Sequence, residues 1–479
     1  MAPEQSVQNA EAISAPSGAT IAVVGGGLAG LAAACALAES GFRVTLFERR
    51  PYLGGRASSY EHPGTGEVVD NCQHVLFTLC TNLIGFYKKI GIEDSIRWFD
   101  RMTFIEPGGR QSMLKPSPLP APLHVTPSFL KFKFLSSWDK VVLGRALSAL
   151  ILLNQKDDGS SFQTWLERHH QTSNAIERFW KPILVSALSE DLDRIAIPYA
   201  AQVVRESMKS SSARTMGIPS VPLTELYNSA RQYIESHGGV VCLRSSVQSF
   251  VPREDGVTLK LQDSEQKFDY AVFSVPFDSL SKLLPDLPHS RDIREKLSHF
   301  ETSPITGVHL WFDRQITDLP HAVLLDRTIQ WMFHKSLLLA PRKEETQTNG
   351  SYVELVISSS KSLIEKSRQE IIDLALSELR EFFPSARDAQ LVKATVIKEV
   401  NATFSPKPGV DQYRPSQRTS WPRVFLAGDW TATGWPATME GAVRSGYLAA
   451  EAISASVGSN AKFLVNDLPA GVLMRIVGE

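Results

Sequence analysis

Residues 20–48 read TIAVVGGGLAGLAAACALAESGFRVTLFE, and this stretch decides the fold of the chain. An apolar run at 21–24 ends in glycines, an alanine-rich segment follows, and a second apolar run at 43–47 ends in Glu48. Short apolar runs bounded by glycine are typical of buried strands, and the alanine-rich segment between them is typical of a helix. The stretch therefore predicts a β-α-β unit with a tight turn after its first strand.

The glycines of this turn, Gly25, Gly27 and Gly30, have the spacing G-x-G-x-x-G. The first glycine permits the turn, the second lets a pyrophosphate approach the backbone, and the third lets the helix pack on the strand. The N-terminus of the helix then offers free N–H groups and the positive end of its dipole to the phosphates. Glu48, at the end of the second strand, is placed to accept ribose hydroxyls. We predict a dinucleotide site here.

Two further blocks indicate which dinucleotide is bound. The sequence LGGR at 53–56 follows the acid closely, and Gly55 with Arg56 would bring backbone and a guanidinium to the pyrophosphate. Near the other end of the chain, VFLAGDW at 424–430 predicts a buried strand that ends at Gly428 and Asp429. The Asp429 carboxylate suits a ribityl hydroxyl, which favours FAD over NAD.

A helix expected from about Met439 begins with Gly441 and Ala442. The N-terminus of a helix attracts hydrogen-bond acceptors, and small residues there leave room for a ligand. This helix start suits the carbonyl edge or the ribityl chain of a flavin.

The blocks at 25–56 and 426–446 resemble those of the flavin-containing amine oxidase and phytoene desaturase superfamily. More narrowly, the chain is similar to the hydroxysqualene dehydroxylase family of squalene-associated FAD-dependent enzymes. The motifs that carry this narrower similarity are DNCQHV at 70–75, RFW at 178–180, GIP at 217–219, QW at 330–331, NATF at 401–404 and LAGDW at 426–430. Cys72 departs from the pattern, because that family usually has glycine at this position.

The resemblance implies an α/β fold: a Rossmann-like FAD-binding domain of the amine-oxidase (GR2) type, interleaved with an α+β substrate domain. It also implies that Arg49 and Val247 contact FAD, with Val247 near the adenine end. The expected organisation is a disordered tail at 1–18, a FAD-binding domain at 19–80, 206–285 and 406–457, a substrate domain with a mostly helical cap at 81–205 and 286–405, and a C-terminal tail at 458–479.

The composition is that of a globular protein, with 43% hydrophobic and 21% charged residues and a net charge of −1. This charge balance gives no indication of a nucleic-acid partner. The four cysteines are scattered and do not form a disulfide framework or a CxxC pair. Cys72, His74 and Cys80 lie close in sequence, but zinc sites usually need four well-spaced ligands, so no metal site is predicted.

The resemblance implies reductive removal of an allylic hydroxyl: hydroxysqualene and reduced flavin give squalene, water and FAD. Hydride leaves the flavin N5, and the departing hydroxide needs a proton from a placed acid. We expect His74 to be this acid, because an imidazolium is available near neutral pH, with Asp70 orienting it or sharing its proton. Glu440, at the helix start, is a second candidate, although a carboxylate there is also readily satisfied by N–H groups.

The cofactor motifs do not fix the direction of hydride transfer. The nearest alternative is a carotenoid or polyprenoid desaturase, in which hydride runs from the substrate to the flavin. A lipid-binding escort without redox activity is a third possibility, but the presence of Glu48, Arg56 and Asp429 argues against it. A second nucleotide motif is absent from the sequence, so the electron donor is unidentified.

The segment 121–155 contains apolar residues beside lysines, as in FLKFKFL at 129–135. Such a pattern is typical of an element that lies in the membrane interface, and it is also compatible with a buried helix. We expect Phe132 and Phe134 to contact lipid. The expected location is the cytoplasm, with peripheral association at the inner face of the plasma membrane.

Overall fold

The computed structural model describes residues 18–152, 155–213, 215–340 and 350–478. Its helices are α1 (Leu28–Glu39), α2 (Thr81–Lys89), α3 (Thr126–Leu130), α4 (Ser137–Leu152), α5 (Phe162–Arg168), α6 (Ser173–Ala175), α7 (Lys181–Leu188), α8 (Ile197–Lys209), α9 (Leu223–Ser236), α10 (Phe277–Leu283), α11 (Pro288–Ser298), α12 (Lys335–Leu338), α13 (Arg368–Phe382), α14 (Met439–Ser456) and α15 (Val472–Gly478). Single 3₁₀ turns occur at Glu93–Ser95, Leu123–Val125, Lys361–Leu363, Pro384–Ala386 and Asp411–Tyr413, and a π turn occurs at Ile176–Trp180.

The strands are β1 (Thr20–Val24), β2 (Arg43–Phe47), β3 (Ser59–Glu61), β4 (Val68–Asp70), β5 (Leu76–Phe77), β6 (Ile96–Phe99), β7 (Met102–Ile105), β8 (Gln111–Leu114), β9 (Met216–Pro219), β10 (Val240–Cys242), β11 (Ser249–Arg253), β12 (Gly256–Lys260), β13 (Glu265–Phe268), β14 (Tyr270–Phe273), β15 (Thr302–Phe312), β16 (His321–Leu324), β17 (Trp331–His334), β18 (Ser351–Ser358), β19 (Leu391–Phe404) and β20 (Val424–Leu426).

A five-stranded parallel sheet in the order β10-β2-β1-β14-β20 forms the first domain. The predicted β-α-β unit is confirmed as β1, α1 and β2, and the predicted strand at 424–430 is confirmed as β20. The strands come from widely separated parts of the sequence, so this domain is assembled from several passes of the chain. The predicted interleaved α/β fold is therefore confirmed.

A seven-stranded sheet in the order β19-β15-β18-β17-β16-β7-β8 forms the second domain. Neighbouring strands are antiparallel except for the parallel pair β16 and β7. Helix α13 covers one face, where Ile371, Ala375 and Leu379 are buried against Val308 and Leu310 of β15. The other face is left for the site described below.

One predicted detail of the domain organisation is wrong. The expected boundary between 205 and 206 falls inside α8, which runs unbroken from Ile197 to Lys209. The cap region is mostly helical, as expected, with α2 to α8, but it also contains β6, β7 and β8, which the sequence did not predict; β7 and β8 complete the edge of the seven-stranded sheet. Short strands of this kind depend on partners far away in sequence, which periodicity in a local window does not reveal.

The C-terminal segment is attached to the first domain. The Val465 amide donates to Asn82 Oδ1 at 2.8 Å, and the Phe463 and Leu464 amides donate to Glu451 Oε1 at 2.8 and 3.1 Å. Within the predicted C-terminal tail at 458–479, the described residues 458–478 thus form an extended strap that crosses α2 and α14 and ends in α15. Residues 1–17 of the predicted N-terminal tail lie outside the described residues.

The segment 121–152 differs from the expected lipid-facing arrangement. Phe132 and Phe134 are 1% and 3% exposed, and their rings stack on each other at 4.8 Å. The prediction that they contact lipid is therefore wrong, since the alternating pattern turns both rings into the core against Phe104. Their neighbours Leu130 and Trp138 are 58% and 62% exposed. Among the described residues no helix is long and apolar enough to cross a bilayer.

The close contact between α1 and α14 in the first domain leads to a prediction about stability. A Cβ added at Gly446 of α14 would lie 2.2 Å from the Ala29 carbonyl oxygen of α1. We expect Gly446→Ala to lower the free energy of unfolding by about 1–3 kcal/mol, because the two backbones have to separate. Urea unfolding followed by circular dichroism measures this change.

Gly144→Ala is the matched control, because it is the same change in the interior of a helix, α4. A Cβ at Gly144 meets nothing within 4 Å, so we expect a gain of about 0.5–1 kcal/mol from helix propensity alone. Equal urea midpoints for the two variants would contradict the steric argument.

Candidate active site

A cavity of about 530 Å³ lies between the two domains, along the carboxyl ends of the parallel strands. Val24, Phe47, Ser274 and Gly428, which end or follow β1, β2, β14 and β20, all line it. Ligands of open parallel sheets bind at this edge, because the strand ends and the helix N-termini meet there. From this edge the cavity reaches β15 and α7 of the second domain at Ile305 and Ser186.

The glycine-rich turn has the geometry that the spacing predicts. Gly25 has a φ of +111°, a conformation that side chains resist, and a Cβ at Gly30 would lie 1.9 Å from the Gly25 carbonyl oxygen. Gly25 and Gly27 line the cavity, whereas Gly30 is buried where the helix packs on the turn. The first amides of α1 therefore open on the cavity.

The carboxylate of Glu48 is held in one orientation at the end of β2. Its Oε2 accepts the Gly26 amide and its Oε1 accepts the Arg50 amide, both at 2.7 Å. Each oxygen retains a further lone pair, which is what two ribose hydroxyls require. Arg49 and Val247 line the cavity beside Glu48, so the structure brings together the residues predicted for the adenosine end.

Arg56 and Asp429, predicted to contact the pyrophosphate and the ribityl chain, form an ion pair of 2.6 Å in the cavity wall. Gly55 and Gly428 line the wall beside them. Burial lowers the pKa of Arg56, but the Asp429 carboxylate outweighs it and raises the pKa above its usual value. The cation that faces the cavity is thus fully charged.

Arg414 was not identified from the sequence, and it holds the loop that carries Asp429. Its guanidinium donates to the carbonyl oxygens of Asp429, Thr431 and Trp435 at 3.0, 2.6 and 2.7 Å. The side chain is 1% exposed. A buried arginine of this kind can be recognised only once the loop around it is known.

His74 lines the cavity in a protonation state different from the expected one. Its Nδ1 lies 2.7 Å from the Cys72 carbonyl oxygen, which only accepts, so Nδ1 carries the hydrogen. Burial lowers the pKa of His74 below its usual value of 6.5. The ring is therefore neutral near pH 7, and Nε2, which has no hydrogen-bond partner among the described residues, presents a lone pair. This geometry describes a base and does not fit the predicted imidazolium acid.

Asp70 does not orient His74. Its carboxylate accepts from Ser59 Oγ at 2.5 Å, from the Leu223 amide at 3.3 Å and from Lys335 Nζ at 2.6 Å. Burial raises the pKa of Asp70, but Lys335 and these hydrogen bonds outweigh it and hold the pKa below its usual value. Asp70 lies behind the cavity wall as a charged carboxylate, so the prediction that it shares a proton with His74 is wrong.

Glu440 points away from the cavity and is fully buried. Its oxygens accept the amides of Asn82 and Leu83 at 3.2 and 2.7 Å and the Arg444 guanidinium at 2.7 Å. The carboxylate thus caps the N-terminus of α2, where its charge is favourable. The prediction that Glu440 acts as an acid is wrong, since its N–H partners come from a helix distant in sequence.

Two amides at the start of α14 are hydrogen-bonded to the N-cap residue of the same helix, Thr438. The Gly441 amide donates to Thr438 Oγ1 at 3.0 Å, and the Ala442 amide donates to the Thr438 carbonyl at 2.9 Å. Ala442 lines the cavity, and so does Met439 in the first turn, whereas Gly441 does not. The amides at 439 and 440 precede the first intrahelical bond and are the groups of this helix that remain for a ligand.

Other parts of the DNCQHV stretch have structural roles. Cys72 is buried and is not among the residues with a positive φ, so cysteine fits where the resembled family has glycine. Burial raises the pKa of the Cys72 thiol well above its usual value, which makes the thiol unreactive.

Within the described ranges, no group of three or more His, Cys, Asp or Glu side chains is placed to hold a metal ion.

Taken together, the parallel sheet, the glycine turn and the cavity that reaches a second domain define a FAD-binding oxidoreductase. The orphan amides at the start of α1, the oriented Glu48 carboxylate and the charged Arg56 fit the phosphates and hydroxyls of FAD. The chain belongs to the flavin containing amine oxidoreductase family, whose profile matches residues 28–454. FAD is therefore its cofactor.

Relatives and solved structures agree with this assignment. The chain is 27% identical to a 15-cis-phytoene desaturase of Synechococcus elongatus, over 91% of this chain and 96% of the relative. It is 26% identical to a probable zeta-carotene desaturase of the same organism, over 90% and 98%. An oxidoreductase from Methanosarcina mazei has a TM-score of 0.70 at 16% identity, covering 89% of this chain and 98% of that one. Putrescine oxidase bound to putrescine has a TM-score of 0.69 at 18% identity, covering 91% and 99%.

Proposed function

We propose that the protein is a FAD-dependent desaturase of a long polyprenoid hydrocarbon, in which hydride passes from the substrate to the flavin. The observation that carries this proposal is the place of His74 in the cavity wall, where Nδ1 is taken up by the Cys72 carbonyl, Nε2 has no partner among the described residues, and burial lowers the pKa of the ring. The similarity to phytoene and zeta-carotene desaturases over nine tenths of the chain supports the same direction.

The reaction removes two hydrogens from adjacent saturated carbons and leaves a double bond. FAD, when bound, supplies the two-electron acceptor that takes one hydrogen as hydride. The other hydrogen leaves as a proton, and His74 Nε2 is placed to receive it. Arg56, Glu48 and Asp429 would hold the cofactor, and the amides of the glycine turn would hold its phosphates.

The wall opposite the flavin-binding residues supports an apolar substrate. Cys72, Val75 and Ile305 line the cavity and also belong to an apolar cluster with Phe333 and Trp331. The Trp331 indole nitrogen donates to Ser186 Oγ at 2.8 Å, which satisfies its polar group and leaves the ring face for packing. Cys72, Val75 and Ile305 therefore give this part of the cavity an apolar lining, which suits a hydrocarbon.

Reductive dehydroxylation of hydroxysqualene has less support than desaturation. That reaction needs an acid for the leaving hydroxyl, and none of the three candidates offers one. His74 is neutral, Asp70 is ionised on Lys335 behind the wall, and Glu440 caps another helix. The polyprenoid class of substrate is common to both reactions.

We also propose that the surface around α3 and the start of α4 binds the membrane from which such a substrate is collected. Leu130, Trp138 and Val141 are 58%, 62% and 51% exposed, and Lys131 and Lys133 are exposed beside them. Apolar side chains flanked by lysines match a bilayer interface that carries anionic lipids. The proposed location is the cytoplasmic face of the membrane.

Anaerobic mixing tests the direction of hydride transfer. We expect oxidised protein mixed with 15-cis-phytoene in detergent micelles to lose its flavin absorbance near 450 nm, roughly the band of an oxidised flavin, and to give a product two hydrogens lighter by mass spectrometry. Reduced protein mixed with hydroxysqualene serves as the opposite arm. Reoxidation in that arm, with no bleaching in the first, would support dehydroxylation and overturn the proposal.

The base role of His74 predicts a defined pH dependence. A base acts when unprotonated, and burial lowers the pKa of His74 below its usual value, so we expect flavin reduction to be constant at neutral and alkaline pH and to fall as the pH drops through the lowered pKa. An imidazolium acid would give the opposite slope. Stopped-flow measurement of the bleaching rate across pH distinguishes the two.

In the same assay, His74→Gln should slow flavin reduction by about 10²–10⁴-fold, because a placed base contributes that much. His237→Gln, the same change at an exposed position beyond α9, is the control and should leave the rate unchanged. A His74→Gln rate equal to that of the control would remove His74 from the proton-transfer step.

Vesicle sedimentation tests the membrane proposal. We expect the double variant Leu130→Ser, Trp138→Ser to bind phosphatidylcholine–phosphatidylserine vesicles on the order of a hundredfold more weakly or worse, since each buried apolar side chain contributes about 1.5–3 kcal/mol. Val392→Ser, Val400→Ser removes equally exposed side chains from the edge strand β19 and should have no effect. Equal sedimentation of both double variants would refute this surface.

A further inference from the structure

A buried lysine lies directly behind the cavity wall. Lys335, at the start of α12, is 2% exposed and donates to Asp70 Oδ2 at 2.6 Å and to Gln73 Oε1 at 2.8 Å. It also forms an ion pair of 3.3 Å with Glu354 of β18. All three partners are buried, so the ammonium joins the DNCQHV stretch to the strands of the seven-stranded sheet.

This lysine is connected to His74 through one side chain. The Gln73 amide accepts from Lys335 with its oxygen and donates with its nitrogen to the His74 carbonyl at 3.0 Å. His74 in turn donates from Nδ1 to the Cys72 carbonyl at 2.7 Å. The chain of contacts fixes the backbone on both sides of the ring, and thereby which ring nitrogen faces the cavity.

We propose that Lys335 is a positioning residue for the proton-transfer step: through Gln73 it fixes the orientation and the tautomer of His74. The inference rests on the proposed function, because it assigns to Lys335 the placement of the base used there. Lys335 itself does not line the cavity and touches no reacting atom.

The charges of Lys335, Asp70 and Glu354 agree with this role. Burial lowers the pKa of Lys335, but Asp70 and Glu354 outweigh it, so the pKa is raised and the ammonium stays charged. Burial raises the pKa of Glu354 to about 7, although Lys335 lowers it, and Glu354 lies farther from the ammonium, at 3.3 Å, than Asp70 and Gln73 do. Asp70 and Gln73 are thus the strong acceptors of Lys335, and both lie on the stretch that carries His74.

A purely stabilising role explains the group less well. A buried ion pair contributes little net stability, because desolvation of the charges offsets their attraction, and apolar residues of the same size often replace such a pair without loss. Here the ammonium is instead directed at a glutamine next to the proposed base. That arrangement gives geometric specificity to the cavity wall.

A double-mutant cycle on the flavin-loaded full chain tests the inference. Gln73→Leu removes the amide that links Lys335 to His74, and with it one acceptor of the ammonium, while Asp70 and Glu354 remain beside Lys335. The charge-balanced pair Lys335→Met, Asp70→Asn removes the anchor. We expect each variant to lower kcat with 15-cis-phytoene at least about tenfold, because a misplaced base loses part of its contribution to the rate. KM and flavin content should stay close to those of the wild type. The triple variant should lose no more than either alone, because both changes act on one contact chain. Additive losses, or an unchanged kcat, would overturn the inference.

Nitrogen NMR of the imidazoles provides a readout that needs no substrate. In the wild type the His74 ring should be the Nδ1–H tautomer, and in both variants the two tautomers should be mixed. An unchanged tautomer in Gln73→Leu would overturn the inference, even if the Lys335→Met, Asp70→Asn variant failed to fold. Arg178→Met, which removes a cation from the buried Glu106 without lining the cavity, should leave tautomer and kcat unchanged. If phytoene does not reduce the flavin, the proposed function fails, while the tautomer still tests the role of Lys335.

Discussion

The close approach of α1 to its neighbours is the constraint on which the rest of this structure depends. Gly30 lets the helix contact the turn that precedes it, and Gly446 lets α14 lie against the same helix at Ala29. Backbones at this distance leave no space for a side chain, so the helix has a single possible position. Both helices then start at the same edge of the parallel sheet, and their N-terminal amides meet at the cavity. A dinucleotide site at this edge is the direct result.

The second requirement is that distant segments meet at the cavity with their charges matched. The Arg56–Asp429 pair joins the LGGR turn at 53–56 to the loop that follows the last strand, and Arg414 holds the same loop. Lys335 does the same on the substrate side, where it ties the wall that carries His74 to the seven-stranded sheet. Buried charges of this kind are costly unless every one is paired, so each pair also defines how the segments must fit. These ion pairs thereby fix the positions of the cofactor side and the substrate side of the cavity relative to each other.

Residues that lie in similar sequence patterns have different environments in the structure, because tertiary contacts decide their burial and their hydrogen-bond partners. Phe132 and Leu130 belong to one apolar stretch, but only tertiary contacts with Phe104 decide that the phenylalanine is buried and the leucine exposed. Glu440 and Glu48 are both acids beside a predicted helix or strand end. Glu48 keeps lone pairs toward the cavity, whereas Glu440 is satisfied by amides of α2 that lie far away in sequence. Lys335 was overlooked, although a single cation within the apolar run at 331–339 was a visible signal.

The sequence by itself determined the cofactor domain: the glycine spacing, the acid after the second strand and the GD block are local patterns whose geometry follows from backbone sterics. It also indicated the interleaved fold and the place of the cavity wall at 70–75. Only the tertiary structure decided the state of His74, the partners of Asp70 and the direction of Glu440. Protonation and hydrogen-bond partners depend on burial and on residues brought from hundreds of positions away, and no local pattern encodes them.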